Sequence, residues 1–275
     1  MHRALGGPRP LVLAHRGGCT LGPENTLTAF ERGFAAGADG FEIDVRLSRD
    51  GEIVVIHDET VDRTTNARGP VASMTAGELA SVDAAYWFRP EDGYPLRGRG
   101  IGIPRLADAL AGFPDAVFIV ELKQDDTESA RRAVDVVRAA QALDRVMIGS
   151  FHRRALGLVR RLEPGVPTGA ATSETRLAMY LSRLRLPILR PRYRAFQVPE
   201  AYGPTRVVTP EFVRMAHAAG VPVQVWTVDD EQDMRRLLSW GVDGLITDRP
   251  GLAARVVRDG SRGSSGSSGA GAHAC

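Results

Sequence analysis

The chain has 275 residues, of which 43% are hydrophobic and 25% charged, with a formal net charge of +2. That balance creates no overall field for nucleic acid or an anionic membrane, and no apolar run approaches the ~18 residues of a spanning helix. Cys19 and Cys275 are too few for a disulfide framework and lack a zinc-ligand spacing.

In chain order, Met1–Pro10 contains no apolar core of signal-peptide length, so cytoplasmic residence is expected. Leu11–Ala14 reads as a strand, and Thr26–Ala36 as a helix closed by Gly37. Gly40–Leu47 is a second strand, and Gly51–His57 returns after the turn Arg49-Asp50-Gly51, a hairpin signal. Residues 58–103 form a long irregular insertion rich in Gly, Arg and Pro, the kind of loop that carries function. Strands are then expected at Val117–Leu122, Val146–Gly149, Thr168–Ala171, Arg194–Val198, Val221–Val228 and Gly244–Thr247. Helices are expected at Thr127–Ala142, Arg153–Leu162, Glu174–Leu186, Pro210–Ala219, Asp230–Trp240 and Leu252–Val257. Eight strand–helix units of uniform composition predict a TIM (β/α)8 barrel over residues 1–258, with an insertion after strand two. Residues 259–275, rich in Gly, Ser and Ala, are expected to form a flexible tail.

A TIM barrel keeps its chemistry at the C-terminal ends of its strands. Strand side chains alternate faces, so Glu42 and Asp44 share one face, as do Glu121 and Lys123. Three carboxylates converging from adjacent strands repel one another unless a cation sits among them. An all-oxygen set selects Mg2+ or Ca2+ over zinc. The competing reading pairs each acid with an arginine; it suits any single acid, but suits two such pairs on buried strands poorly. His15 and His57 stand at strand ends beside charged groups, the setting for an acid–base pair. His2, His217 and His273 read as structural or solvated, and His152 follows a strand end without a clear role. Of the 35 basic residues only Lys123 is a lysine. A lone lysine among arginines marks a place for a compact ammonium, and with Arg16 it reads as a phosphate clamp.

The run Ala14-His15-Arg16-Gly17-Gly18 followed by Pro23-Glu24-Asn25-Thr26 resembles the opening signature of the glycerophosphodiester phosphodiesterase family. Glu42-Ile43-Asp44-Val45, His57-Asp58, Asp62-Arg63-Thr64-Thr65, Glu121-Leu122-Lys123, Val225-Trp226-Thr227 and Thr247-Asp248-Arg249-Pro250 extend the resemblance in order, from residue 14 to residue 250. It implies that Glu42, Asp44 and Glu121 ligate one Mg2+ or Ca2+, and that His15 and His57 are general acid and base. Arg16 and Lys123 would correspond to phosphate-contacting positions. Trp226 would pack on the glycerol end, against a plain reading as core. The loop Tyr94–Ile101 is longer and more basic than in compact members of the family, which bears on the leaving group.

The implied activity is hydrolysis of a glycerophosphodiester to sn-glycerol 3-phosphate and an alcohol. The runner-up is lysophospholipase D-like cleavage of a lysophospholipid, for which Tyr86-Trp87-Phe88 could supply an apolar entrance. A non-catalytic phosphate-binding barrel is disfavoured because every matched catalytic position is intact. The expected partner is a small molecule, with neither nucleic acid nor a transmembrane segment.

Overall fold

A computed structural model describes residues 2–265. In chain order it contains β1 (Leu11–His15), α1 (Leu27–Ala35), β2 (Gly40–Leu47), β3 (Ile53–Val55), α2 (Ala76–Ser81), α3 (Leu106–Gly112) and β4 (Val117–Leu122). Next come α4 (Thr127–Ala139), β5 (Val146–Gly149), α5 (Arg153–Leu162), α6 (Thr172–Arg183) and β6 (Phe196–Pro199). The chain continues with β7 (Ala201–Tyr202), β8 (Thr205–Arg206), α7 (Pro210–Ala218), β9 (Val223–Trp226), α8 (Glu231–Ser239), β10 (Gly244–Thr247) and α9 (Pro250–Ser265).

The main sheet runs β5-β4-β2-β1-β10-β9-β6, all parallel, with β3 antiparallel on β2. Two single bridges, Ile148 to Thr168 and Gly169 to Ala195, join its ends and close the barrel. The fifth stave, expected over Thr168–Ala171, is therefore present as a short bridging segment, and the eight-unit reading holds. Its brevity has a local cause. A Cβ on Gly169 would lie 2.6 Å from Gln197 Oε1, so Gln197 fills the space that a side chain on this stave would occupy.

Strand alternation sorts the core. Val12, Phe41, Ile43, Phe118, Val120 and Val225 face outward into the main cluster against the helices. Leu11, Leu13, Val117, Ile119, Met147 and Ile246 face the barrel interior, which Ala4 and Leu5 plug from below. Following the inward set upward gives Leu11-Leu13-His15, Gly40-Glu42-Asp44, Ile119-Glu121-Lys123, Gln224-Trp226 and Ile246-Asp248. The period of two thus carries apolar packing in the middle into polar chemistry at the mouth.

The insertion after β3 is more ordered than its composition suggests. Val61, Val71, Leu79 and Ile103 form a separate buried cluster with Val54 and Ile56 of the hairpin. Thr75 caps α2, accepting from the Glu78 amide while the Glu78 carboxylate accepts from the Thr75 amide. The segment expected to be irregular is a small packed layer seated on β3. At the other end, α9 runs on to Ser265, into the stretch expected to be a tail; residues 266–275 and His273 lie outside the described residues. Among the described residues no helix is long and apolar enough to cross a membrane.

Candidate active site

The barrel mouth gathers the expected residues. The carboxylates of Glu42 and Asp44 from β2 and Glu121 from β4 come within 4.8 Å of one another. The register makes this unavoidable, since Asp44 pairs directly with Glu121 across the two strands. Asp44 is 1% exposed and Glu42 8%.

Asp44 is the most engaged of the three. Lys123 Nζ lies 2.8 Å from its Oδ1, Arg16 Nε lies 3.2 Å from its Oδ2, and Asn25 Nδ2 donates to Oδ2 at 2.9 Å. Burial would raise its pKa, but Lys123, Arg16 and the hydrogen bonds outweigh burial and hold it below the ordinary value. Glu42 has no such support. Burial first, then the charge of Asp44, push it up to about 8, with His15 only partly opposing. Glu121 is raised too, by burial chiefly, with Lys123 opposing. Glu42 Oε2 is buried and accepts no hydrogen bond, while Glu121 Oε1 meets the Lys123 ammonium at 2.8 Å. An orphaned carboxylate oxygen in an all-oxygen group is what a hard dication would satisfy, so the residues present fit one.

His15 ends β1 with Nδ1 2.7 Å from Asp248 Oδ1 and Nε2 3.9 Å from Glu42 Oε2. Burial lowers its pKa, but the Asp248 hydrogen bond and Glu42 prevail and raise it. Asp248 is fixed in turn, because its own amide donates to Asp229 Oδ1 at 2.8 Å. His57 follows β3 with Nδ1 2.6 Å from Asp58 Oδ1. Each histidine therefore has one ring nitrogen held by an aspartate.

Arg16 adopts φ 50°, a left-handed turn that swings its side chain back over the mouth. Its Nη1 donates to Glu24 Oε1 at 2.9 Å. Arg63 from the insertion donates to both Glu24 oxygens at 2.7 and 2.8 Å and also to Asp58. Arg63 and Glu24 thus link Arg16 on one side of the mouth to Asp58 and His57 on the other. Burial works against it, but Arg63 and His57 hold the Asp58 carboxyl down at about 2.

Lys123 sits 2.8 Å from both Asp44 Oδ1 and Glu121 Oε1, so the lone lysine bridges two of the three acids. Its Nζ also lies 5.9 Å from the Phe151 ring centre. Trp226 ends β9 and meets Phe151 edge to face at 6.1 Å. With Glu42, Glu121, Gln197 and Ile246 these two rings line a cavity of about 40 Å³. A larger cleft of about 550 Å³ opens on the other flank, between Cys19, Glu24 and Arg63 and the insertion's Trp87 and Phe88. Tyr86 is not a free entrance, since Arg97 lies 4.0 Å from its ring and 3.6 Å from that of Tyr94.

The remaining histidines stand apart. His2 bonds Leu143 O, His217 bonds Asp243, and His152 is 3.9 Å from Asp125. A second metal-capable group, His15, Cys19 and Asp248, owes its closeness to the His15–Asp248 contact. Burial there pushes the Cys19 thiol up, which disfavours the thiolate a metal would require. Sequence reasoning gave no role to Asn25, Asp58, Arg63 or Asp248. Asp248 had a signal, standing at i+2 from inward-facing Ile246. Asn25 and Arg63 stood only within the motifs that carry the family resemblance, because loop conformation brings them in.

Residues 15–252 match the family model described as the Glycerophosphoryl diester phosphodiesterase family. The chain belongs to that family. A glycerophosphodiester phosphodiesterase of Caldanaerobacter subterraneus subsp. tengcongensis is 35% identical, over 92% of this chain and 99% of its own. The crystal structure of glycerophosphodiester phosphodiesterase from Agrobacterium tumefaciens is similar at a TM-score of 0.73 and 28% identity, covering 89% of this chain and 99% of that one. An Oleispira antarctica phosphodiesterase, solved in complex with the product sn-glycerol-3-phosphate, is similar at 0.74 and 26% identity, covering 91% and 97%. Membership makes the chain a phosphoric diester hydrolase of glycerophosphodiesters, as the ordered motifs implied.

Proposed function

We propose that Glu42, Asp44 and Glu121 hold one divalent cation, Mg2+ or Ca2+, and that His15 and His57 move the protons of the reaction. The supporting observation is the cluster of three carboxylates within 4.8 Å, with Glu42 Oε2 orphaned, flanked by two aspartate-held histidines. When bound, the cation would polarise a phosphoryl oxygen and favour ionisation of a nearby hydroxyl.

The chain's own groups supply the rest. Asp248 and Asp58 accept from Nδ1–H of their histidines, which leaves each Nε2 as the working nitrogen. One imidazole takes the proton of the glycerol 2-hydroxyl as that oxygen attacks phosphorus. The other gives a proton to the departing alkoxide. With the roles exchanged, water opens the cyclic phosphate to sn-glycerol 3-phosphate. Arg16 and Lys123 face the phosphate, and Lys123 can exchange its contact with Asp44 and Glu121 for a phosphoryl oxygen. Trp226 and Phe151 pack against the carbon side of glycerol.

The cavity of about 40 Å³ beside Trp226 favours unacylated glycerol over a lysophospholipid, whose acyl chain would lie at the same end. Comparing rates on glycerophosphocholine and lysophosphatidylcholine tests this, and faster turnover of the lipid would reverse the choice. His15→Ala and His57→Ala should each lower kcat by about 10²–10⁴ with the unfolding midpoint little changed. Full activity in either purified variant contradicts its role.

A further inference from the structure

The net charge of +2 conceals a segregated distribution. Between residues 153 and 194 there are ten arginines and two acids, so this stretch carries +8 and the rest of the chain −6. Both acids are already engaged, Glu163 by Arg138 at 2.7 Å and Glu174 by Arg160 at 2.8 Å. Arg153, Arg154, Arg161, Arg192 and Arg194 line a groove of about 890 Å³ between α5 and the 191–194 segment.

Beside that groove the surface is apolar. Leu177, Tyr180, Leu184, Leu186 and Leu189 are 61%, 59%, 68%, 47% and 81% exposed. Ten large hydrophobic side chains are exposed among the described residues, and these are half of them. α6 buries Ala178 and Ser182. Leu177, Tyr180 and Leu184, at i, i+3 and i+7, thus form a stripe on its outer face. Leu186 and Leu189 continue it into the loop that leads to the arginine groove. The upper end reaches the barrel mouth, where Thr172 donates to the carbonyl of Phe151.

We propose that this face docks on an anionic phospholipid bilayer. Arginines beside leucines are the composition of an interfacial element: the cations meet lipid phosphates while the leucines enter the headgroup boundary. Single-stranded nucleic acid would use the arginines, but it rewards stacking aromatics, and only one of the five exposed apolar residues is aromatic. A second copy of the same face would bring two arginine-lined grooves together. Docking through this face does not depend on the proposed metal and histidine roles.

Co-sedimentation of the full chain with vesicles tests it. Vesicles of one part phosphatidylglycerol to two parts phosphatidylcholine should carry the protein down at low salt, and phosphatidylcholine alone should not. Salt at about 0.5 M should release it. The triple variant R161Q/R192Q/R194Q should weaken partitioning on the order of a hundredfold. The triple variant L184S/L186S/L189S should weaken it about tenfold. The substituted side chains are all exposed, so unchanged unfolding midpoints and unchanged hydrolysis of glycerophosphocholine should accompany both losses. The proposal is overturned if anionic vesicles fail to bind at low salt, if the leucine variant binds as well as the parent, or if single-stranded RNA is held more tightly than the vesicles.

Discussion

Asn25 shows how the carboxylates are held in place. It sits at φ 58°, its Nδ2 donates to Asp44, and its Oδ1 accepts from the Asp44 amide at 3.3 Å. A carboxylate fixed this way keeps its Oδ1, which faces Lys123, in one orientation, so no rotamer entropy is lost again on binding. Asn25→Ala should weaken Mg2+ or Ca2+ binding about 10–100-fold, measured by titration, with activity recovering at high metal. Unchanged affinity would remove Asn25 from the site's support. Glu42 gives a pH dependence. Its carboxyl binds a proton more tightly folded than unfolded, so the metal-free protein loses stability as pH rises from about 4.5 to about 8. A cation must displace that proton, so its stabilisation grows over the same window. At about a hundredfold its Kd a ligand adds about 2.7 kcal/mol, or roughly 5 °C for a chain of this size. That shift in Tm should be reached at pH 8 and be clearly smaller at pH 6; an equal shift at both would contradict the assignment of Glu42.

Among the elements, β2 bears the tightest steric demand. A Cβ on Gly40 would lie 1.9 Å from the Val117 carbonyl, so β2 and β4 meet closely only because residue 40 has no side chain. Gly40→Ala should cost more than about 3 kcal/mol, read from denaturant unfolding, because main chain has to move. The insertion acts through Arg63, which joins Glu24 to Asp58. Arg63→Ala should lower kcat more than it raises KM, since His57 loses the anchor behind its aspartate while the phosphate-facing groups stay. Legibility in the sequence followed the same line. β2 and β4 were clear because alternation places Glu42 with Asp44 and Glu121 with Lys123 inward, and β10 was clear because it is uniformly buried between turn signals. The Thr168–Gly169 stave and α2 were faint. One is two bridges long, and the other is a short helix whose burial depends on a cluster assembled across the insertion.

For the whole molecule, both histidines were legible at strand ends, but the aspartates that hold them were given no role. His57 and Asp58 are neighbours in the chain, whereas His15 and Asp248 meet only because β1 pairs with β10 and closes the barrel. Net charge was a poor guide at this scale, because +8 over residues 153–194 and −6 over the rest of the chain cancel in the sum. In the proposed mechanism a cation held by Glu42, Asp44 and Glu121 serves the two histidines. The most direct measurement is product formation from glycerophosphocholine by protein stripped with EDTA, then given Mg2+ or Ca2+ in steps. Choline and sn-glycerol 3-phosphate should be absent in chelator and appear in saturable fashion with one of the two ions. Undiminished turnover after thorough chelation would contradict the account.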